Sequence, residues 1–400
     1  MLSLLLTATA LGGTGSVHAT TTGALPAWAR RYNVNCSHCH ANAIPRLNAT
    51  GIRFKWAGYR MPEDIGQPVS VAQVSNYLNA RAQIRYVWEK TSGQPTSISE
   101  FTEPNLMLMY AGPFGKNFGG WFELERDDGE VGSLASVTGV WGNERSHGGI
   151  RVGKMPLYLE GGVAGFDRPI GLEAPTPAAM PVSAAIPFSF EGEQNSAELF
   201  YVTGSNRIAA QVLNASVFDG AALNATGSRK KDVGLTDQFL LDDKGSGIYA
   251  AGYYGTATGM DPAQASVNSH LWRLALSANK IFGNIDASNF EALGGVVYGK
   301  DTGLPLGAVY SNKDNKGYGY WFSGQYHLAE PALTFFGRYE FIDPDTRTSS
   351  DGNHRYVFGA VLPVSLPEHL RLAAEYFMDK PQLSGAPKLN HFAAEVQLIF

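Results

Sequence analysis

The sequence predicts a mostly β fold, in which a small N-terminal helical module precedes a transmembrane antiparallel β-barrel of about 16 strands. Three observations predict it. From Tyr77 onward, segments of about ten residues alternate apolar with polar side chains, as barrel strands do. Short and long turn-rich connections alternate between these segments. Beyond the N-terminus no run of about 18 apolar residues occurs, so any membrane crossing would have to be made by strands.

The composition agrees with a β-rich, turn-rich chain. Of the 400 residues, 46 are glycine and 12% are aromatic, which favours strands and turns over helices. Charged residues make up 17% and the formal net charge is −5. This balance gives no reason to expect nucleic acid as a partner.

Residues 1–19 are predicted to be a secretory signal peptide. An apolar run from Leu2 to Leu11 precedes Val17-His18-Ala19, a small-x-small cleavage site. The usual basic residues at the start are missing, which suggests a trimmed or misassigned start. The mature chain is therefore expected to be exported, with the helical module at residues 20–72 and the barrel at residues 73–400.

The only two cysteines of the chain stand together in Cys36-Ser37-His38-Cys39-His40. Cys-x-x-Cys-His is the attachment signature of a c-type haem. Two thiols one helical turn apart can bond the two vinyl groups of one haem, and the next imidazole can then bind its iron. The sequence thus predicts one covalently bound haem c, with thioethers at Cys36 and Cys39 and His40 as an axial ligand.

The cysteine pair has three other interpretations. A thioredoxin-like redox pair belongs in a βαβ unit, and the segment Leu25–Asn35 is not a buried strand. A zinc site needs four ligands, and the chain has no second cysteine pair. A plain disulfide is the third interpretation.

Met61 is the candidate for the distal axial ligand, because it follows the motif closely and a thioether opposite histidine raises the haem potential. The alternative is an ordinary packing methionine. His38 lies inside the attachment turn and is not expected to reach the far face of the haem. A histidine of the barrel wall, His327 or His354, is also possible.

Further residues of the module are candidates for contacts with the haem. The aromatic candidates, which could pack on the ring, are Trp28, Phe54, Trp56 and Tyr59. The cationic candidates, which could meet the propionates, are Arg53, Lys55 and Arg60. Both sets are equally consistent with a small satisfied core and solvated charges.

The segment Leu78–Glu89 illustrates the predicted strands, since one face carries Leu78 and Ile84 and the other Arg81 and Arg85. In a soluble β-sandwich the polar face would meet water, whereas in a barrel it lines the lumen. Short connections alternating with long ones favour the barrel, and an even strand count returns the C-terminus to the periplasmic side. The longest interruption, residues 157–195, could fold into the lumen as a constriction or lie outside.

The chain ends in an alternating segment, Phe392 to Phe400. Its terminal aromatic residue looks like the recognition signal of outer-membrane barrel proteins. A chance amphipathic strand is the alternative.

A single haem motif followed at once by a porin-sized barrel resembles the monohaem cytochrome c–porin fusion family, the outer-membrane Fe(II) oxidases of iron-oxidising bacteria. The resemblance is sharpest in Leu25–Arg31, Cys36–His40, Phe54-Lys55 and Gly58-Tyr59. The family's Pro-x-Phe-Ala-Arg run has Trp28 in place of Phe here. The barrel matches only in size and pattern.

The resemblance implies an oxidoreductase of the Gram-negative outer membrane. Extracellular Fe(II) would give one electron to the haem near the outer opening, and a periplasmic carrier such as a soluble cytochrome c would collect it. The module would plug the periplasmic end or the lumen of the barrel. Acidic residues of a predicted outer loop could gather Fe(II), or could form an ordinary solvated loop; they are Asp127, Asp128 and Glu130.

Three competing functions stay open. The chain could conduct electrons to or from another extracellular partner. It could be a porin whose haem-containing plug acts as a gate or sensor. It could also be a soluble periplasmic cytochrome with a β-sandwich.

Overall fold

The computed structural model describes most of the chain beyond the signal region. The described residues are 27–41, 46–69, 76–127, 130–156, 170–179, 188, 190, 193–214, 217–218, 221–222, 231–258, 268–303, 314–348, 350–365 and 370–399. The predicted signal peptide, Asp128, Phe400 and most of residues 157–195 lie outside them.

Helices are few and short. They are α1 Ala27–Tyr32, α2 Ala49–Trp56 and α3 Thr176–Ala179, with single 3-10 turns at Cys36–His38 and Pro62–Asp64. Within the part of the chain that the structure describes, no helix has the length and hydropathy needed to cross a membrane.

Strands dominate the rest of the chain. They are β1 Leu78–Thr91, β2 Ile98–Phe101, β3 Asn105–Pro113, β4 Phe118–Asp127, β5 Glu130–Gly142, β6 Ser146–Pro156, β7 Glu193–Thr203, β8 Asn206–Leu213, β9 Val217–Phe218, β10 Ala221–Ala222, β11 Asp232–Leu240, β12 Gly247–Thr258, β13 Asn268–Phe282, β14 Asn289–Thr302, β15 Asp314–Leu328, β16 Leu333–Asp343, β17 Asn353–Ser365, β18 Leu370–Pro381 and β19 Leu389–Ile399.

These strands close into one antiparallel barrel. Each long strand pairs with the next, β8 pairs with β11, and β19 returns to pair with β1 through Ile399 opposite Arg81. The short β2 and β3 both pair with β1, one above the other, so they share one position in the wall. The barrel therefore has 16 strand positions. Closure pairs every backbone edge, which a sandwich does not do. The prediction of a barrel of about 16 strands is confirmed, and the sandwich alternative is wrong.

The two ends of the barrel differ in their connections. At the short-turn end, β3–β4, β5–β6 and β15–β16 are joined by residues 114–117, 143–145 and 329–332. At the long-loop end, β8–β11 and β14–β15 are joined across many more residues. β1 begins and β19 ends at the short-turn end, since Leu78 pairs with Tyr110 near the end of β3. The alternation of short and long connections is thus confirmed at these positions, whereas β4 and β5 are joined by only two residues at the long-loop end.

The two faces of the wall differ as the sequence pattern requires. Large apolar side chains such as Leu106, Leu108 and Leu124 point outward and are about half exposed. Charged side chains such as Arg207 and Glu198 alternate with apolar ones on the inner face and are buried. An apolar exterior around a largely polar wall interior is the arrangement of a barrel that faces lipid.

The N-terminal module, residues 27–69, lies inside the short-turn end of the barrel. The Trp28 indole N–H donates to Ala111 O, and the Trp56 indole N–H donates to Gln238 Oε1 at 2.8 Å. The Arg60 Nη1 donates to Lys116 O in the turn between β3 and β4 at 2.8 Å. These wall residues all belong to the short-turn end, so the module closes that end from within.

The interruption between β6 and β7 turns into the lumen where it is described. The Leu172 N–H donates to Glu375 Oε2 at 2.8 Å, and the Thr176 N–H donates to Glu340 Oε2 at 2.7 Å. The ring of Phe188 packs on Tyr253 with 4.3 Å between centroids. We call residues 170–179 together with Phe188 and Phe190 the inward segment. The sequence left open whether residues 157–195 fold into the lumen or lie outside the barrel. The described residues of this stretch occupy the lumen.

Candidate haem site

The cysteine motif forms one tight turn. Cys36–His38 is a 3-10 turn in which the Cys39 N–H and the His40 N–H both donate to Cys36 O, at 3.1 and 2.9 Å. Both cysteines are half-buried and form no disulfide. The two thiols therefore stand one turn apart beside His40, as the attachment chemistry requires.

The imidazole of His40 is oriented by the backbone of the same module. Its Nδ1 lies 3.1 Å from Arg46 O. A carbonyl can only accept, so Nδ1 carries the proton, and in the neutral ring the lone pair is on Nε2. This is the tautomer in which a histidine binds iron through Nε2 while a carbonyl fixes its ring.

Asn48 joins the motif turn to α2. Its side-chain oxygen accepts from the Gly51 N–H at 3.1 Å, so it caps the helix. Its Nδ2 donates to Ser37 O and His38 O, both at 3.0 Å. One buried side chain thereby holds the start of α2 against the Cys-x-x-Cys-His turn.

Gly51 permits the close approach of α2 to this turn. A Cβ added there would lie 2.2 Å from Cys39 O and 2.9 Å from Leu47 Cδ2. The nearest atom is a backbone carbonyl oxygen, which cannot rotate away. Only glycine therefore fits between α2 and Cys39.

We expect Gly51→Ala to lower the haem content of the protein, because the added methyl group forces α2 away from Cys39, a type of overpacking that costs about 1–3 kcal/mol. The ratio of haem to protein absorbance measures it. Gly252→Ala in β12 is the matched control, since the nearest atom to its Cβ is an ordinary 3.6 Å away. An unchanged haem content in Gly51→Ala would contradict the expectation.

An apolar cluster adjoins the motif. Phe54, Tyr59, Met61 and Ala111 are its buried members, and Cys39 packs against them. Trp28 meets Phe54 edge-on with 5.6 Å between ring centroids, and Trp28, Tyr32 and Trp121 complete the cluster. Met61, the candidate distal ligand, therefore lies in the same apolar cluster against which Cys39 packs.

The pKa values of the two thiols are those of buried groups. Burial raises the pKa of Cys36, and burial together with the neighbouring Cys36 raises the pKa of Cys39 to about 11. A reactive thiolate pair of the thioredoxin kind has lowered thiol pKa values instead.

The barrel-wall histidines differ from Met61 in position. His354 stands near the start of β17 at the long-loop end, where its Nδ1 contacts the Tyr339 hydroxyl at 2.8 Å. It is at the opposite end of the barrel from His40, so its assignment as a distal ligand is wrong. His327 lies at the short-turn end of β15, and its Nδ1 contacts Thr334 Oγ1 at 2.9 Å. His38 is exposed within the motif turn.

The aromatic candidates separate into two groups. Trp28, Phe54 and Tyr59 belong to the cluster with Met61 and remain candidates for packing on a haem. Trp56 belongs instead to the larger core on the other side of α2, with its indole directed to the barrel wall. Trp56 therefore has the core position that the sequence left open as its alternative, because different faces of α2 meet the motif and the wall.

The cationic candidates also separate. Arg53 forms an ion pair with Asp243, with 3.1 Å between Nη1 and Oδ1. Its guanidinium, a predicted partner of a haem propionate, is therefore already paired with a carboxylate of the protein. Lys55 is half-buried. Arg60 is fully buried and its Nη1 donates to two carbonyls, whereas its Nε and Nη2 find no hydrogen-bond partner among the residues that the structure describes. Burial lowers the pKa of Arg60.

Unsatisfied donors on a buried guanidinium are costly, about 1–3 kcal/mol or more for a charged group. An anionic group beside Arg60 would satisfy them, and a haem propionate is such a group. Together with the paired thiols, the oriented His40 and the apolar cluster at Met61, the residues present fit a c-type haem. Cys36 and Cys39 would hold it by thioethers, His40 and Met61 would bind its iron, and Arg60 would meet a propionate.

The haem motif and the predicted iron-gathering residues lie at opposite ends of the barrel. Asp127 at the end of β4 and Glu130 at the start of β5 are partners in the strand register, at the long-loop end. Asp128 lies outside the described residues. No group of three or more His, Cys, Asp or Glu side chains able to hold a metal ion is found within the described ranges. The motif is at the short-turn end, which agrees with a module that plugs one end of the barrel and separates the motif from the long loops, while the place of the haem itself stays a prediction.

A buried ion pair anchors the module to the wall. Arg46 Nη2 lies 2.7 Å from Glu291 Oε1, and the two side chains are 2% and 0% exposed. Glu291 Oε1 also accepts from Asn279 Nδ2 at 2.6 Å. At the other edge of the module, the Ala27 N–H donates to Asn79 Oδ1 at 2.8 Å.

Three residues that shape the site were missed in the sequence. Asn48 carries a signal that could have been used, because an asparagine directly before a helical segment is a favoured N-cap. Gly51 and Arg46 carry none, since the close approach to Cys39 and the partner Glu291 exist only after folding.

Comparison with known proteins finds likeness in fold alone. No protein-family model and no curated protein matches the chain. Among solved structures, OmpF of Salmonella typhi in complex with daunomycin has a TM-score of 0.55 at 14% identity, over 81% of this chain and 97% of that one. The outer membrane channel DcaP of Acinetobacter baumannii has a TM-score of 0.54 at 12% identity, over 81% and 96%. OmpT of Vibrio cholerae has a TM-score of 0.51 at 12% identity, over 81% and 97%. The chain has a porin-like barrel fold.

Proposed function

We propose that this chain is an outer-membrane cytochrome–porin that accepts electrons from extracellular Fe(II) through one c-type haem and passes them to a periplasmic electron carrier, such as a soluble cytochrome c. The observation that carries the proposal is the Cys36–His40 turn held inside a porin-like barrel, with Met61 in an apolar cluster with Cys39.

The location in the outer membrane rests on the wall of the barrel. Its outward face carries large apolar side chains that would be unfavourable in water, and lipid is the solvent that suits them. In barrels of this kind short turns face the periplasm and longer loops face outward. On that orientation the Cys36–His40 motif faces the periplasmic carrier, and the turn between Asp127 and Glu130 faces the medium.

The chemistry is the transfer of one electron. Fe(II) loses one electron and leaves as Fe(III). A bound haem c would supply the group that accepts this electron and passes it on to the periplasmic carrier. His40 and Met61 would give the iron a nitrogen and a thioether ligand, a pair that raises the potential and so suits a weak reductant. The residues of the chain orient the imidazole through Arg46 O and surround the site with apolar side chains.

Stopped-flow mixing of the purified, oxidised holoprotein with Fe(II) tests the proposal. We expect the haem absorption bands to change to those of the reduced state, with a rate that rises with the Fe(II) concentration. Mn(II), a divalent cation that is much harder to oxidise, is the control. A haem that stays oxidised in excess Fe(II) would rule out Fe(II) as the donor.

The fold likeness to porins favours a second candidate, a porin with a haem-containing plug. Ionic conductance in planar bilayers separates the two. A gated porin should conduct in at least one redox state, whereas an electron-transfer protein closed by its module should conduct poorly in both. A strongly negative midpoint potential would instead favour an electron conduit for another partner.

We expect Met61→Ala to lower the midpoint potential by on the order of 100 mV, within the roughly 0.8 V range that axial ligands set. The reason is that loss of the thioether removes the ligand that favours the reduced iron. Potentiometric titration measures the shift. Met109→Ala is the control, because Met109 is a half-buried methionine of the neighbouring β3. An unchanged potential and visible spectrum in Met61→Ala would remove Met61 from the iron.

A further inference from the structure

The inner wall of the barrel is covered unevenly. Ion pairs on the side formed by β7 to β16 are sealed: the side chains of Arg207 and Glu198 are 1% and 2% exposed, and those of Arg273 and Asp301 are both 0% exposed. Arg81 and Glu125, a pair on β1 and β4, are 20% and 28% exposed although they too face the lumen. The inner face at β1 and β4 is therefore reached by water, while the opposite face is dry.

The inward segment accounts for the dry side. Phe188 packs on Tyr253, and the guanidinium of Arg273 lies over the ring of Phe188, 5.6 Å from its centroid. Further round the wall, the backbone of the inward segment donates to Glu340 and Glu375. These contacts fasten the segment to β12–β18, and its Glu173 also pairs with Arg85 of β1, with 3.1 Å between Oε1 and Nη1.

The strand register shows where the wetted face leads. Successive inward positions of β4 are Glu125, Glu123 and Trp121, and their β3 partners are Met107, Met109 and Ala111. The first two pairs are half-buried, in contrast to the sealed opposite wall. The third pair, Trp121 and Ala111, belongs to the cluster that contains Cys39 and Met61. The wetted face thus descends to the candidate haem site.

We propose that the inner faces of β3 and β4, together with Arg81 of β1, form a hydrated half-channel, through which a small hydrated divalent cation travels from the long-loop end to the Cys39–Met61 cluster. The proposal rests on the proposed function, under which the cation is Fe(II). The half-channel would give the cation a route from the long loops to the haem motif. That route is about 20 Å long, because β4 runs from Trp121 to Asp127 at about 3.4 Å per residue.

The carboxylates that line the half-channel would favour the passage of a cation. Glu125 and Glu123 occupy successive inward positions of β4 along it. Glu125 is paired with Arg81, with 2.5 Å between Oε1 and Nη2, and Glu123 accepts from the Trp121 indole N–H at 3.2 Å. Glu123 is the last carboxylate of β4 before the apolar cluster, and carboxylate oxygens are what a hard cation prefers.

Cysteine accessibility tests the half-channel in the full holoprotein. With both native cysteines bonded to haem, a new cysteine is the only free thiol. Glu123→Cys, Met107→Cys and the control Gln211→Cys, a buried inward position of β8, are treated with a cationic, membrane-impermeant methanethiosulfonate. Glu123→Cys and Met107→Cys should react at least about tenfold faster than Gln211→Cys, because a buried thiol reacts only after local opening.

The same samples then report whether the path is used. Attachment of the bulky cationic group at position 123 or 107 should slow haem reduction by Fe(II) at least about tenfold, by adding charge and volume to the path. Equal reaction rates at all three positions would overturn the half-channel. Rapid labelling of Glu123→Cys and Met107→Cys without slower reduction would overturn its use as the route. If Fe(II) fails to reduce the unmodified protein, the proposed function fails, whereas the labelling rates still decide whether the half-channel exists.

Discussion

Replacing both Cys36 and Cys39 by Ser is expected to give a protein without bound haem and without any response to Fe(II). The two thioethers are the covalent link, and the remaining ligands are expected to be too few to retain the group through purification under denaturing conditions. The protein is made in cells competent for haem attachment, and the visible spectrum and haem staining of a denaturing gel measure the loss. The barrel itself should form normally, because its closure between β1 and β19 involves neither cysteine.

Two variants control this experiment. Ser37→Ala changes an exposed side chain in the same turn and leaves Ser37 O available to Asn48, so the haem content should stay unchanged. His40→Ala keeps both thiols, so haem should remain attached while its spectrum shifts and its reduction by Fe(II) is lost. Retained colour in the double Ser variant, or a colourless parent protein, would refute attachment at Cys36 and Cys39.

The second large effect is expected at the contact between Arg46 and Glu291. Arg46→Ala leaves the carboxylate of Glu291 buried without its counter-charge, which typically costs about 3–5 kcal/mol. This free energy is lost from the docking of the module, so we expect the module to leave the short-turn end part of the time. Ionic conductance in planar bilayers should rise, and proteases should cleave within residues 27–69 more readily than in the parent.

Arg53→Ala is the matched control for Arg46→Ala. Its partner Asp243 is 90% exposed and Arg53 itself is 34% exposed, so that ion pair is worth about 0–1 kcal/mol. A paired change of Arg46→Met with Glu291→Leu should restore much of the docking, because it removes both buried charges and replaces them by apolar contacts. Unchanged conductance and protease resistance in Arg46→Ala would mean that the ion pair does not hold the module in place.

The lumen of this barrel differs from a simple water-filled pore. The module fills its short-turn end, and the inward segment covers the wall at β12–β18. Buried aromatic side chains such as Trp321, Tyr249 and Phe190 stand within the lumen, where a diffusion pore would carry water. Over the described residues, protein side chains therefore occupy part of the space that water fills in a diffusion pore.

The amino-acid sequence by itself determined the barrel, and it brings Cys36, Cys39 and His40 together in one short motif, from which the haem is predicted. Alternation with a period of two, as in Leu78–Thr91, is a local pattern that assigns one face to lipid and the other to the lumen, so the strands could be predicted from it. Cys36, Cys39 and His40 are adjacent in the chain, so their joint chemistry is equally local. The spacing of turns likewise separated the two ends of the barrel.

Only the tertiary structure decided how the module sits in the barrel. Arg46 meets Glu291 across 245 positions of sequence, and Trp56 meets Gln238 across 182, and no periodicity relates such distant residues. For the same reason the sequence did not distinguish Trp56 from Phe54, since their roles depend on which face of α2 meets the wall, or Arg53 from Arg60, since the partners of both come from distant turns of the barrel. The inward course of residues 170–179 was decided in the same way, by buried carboxylates of β16 and β18 that accept from its backbone.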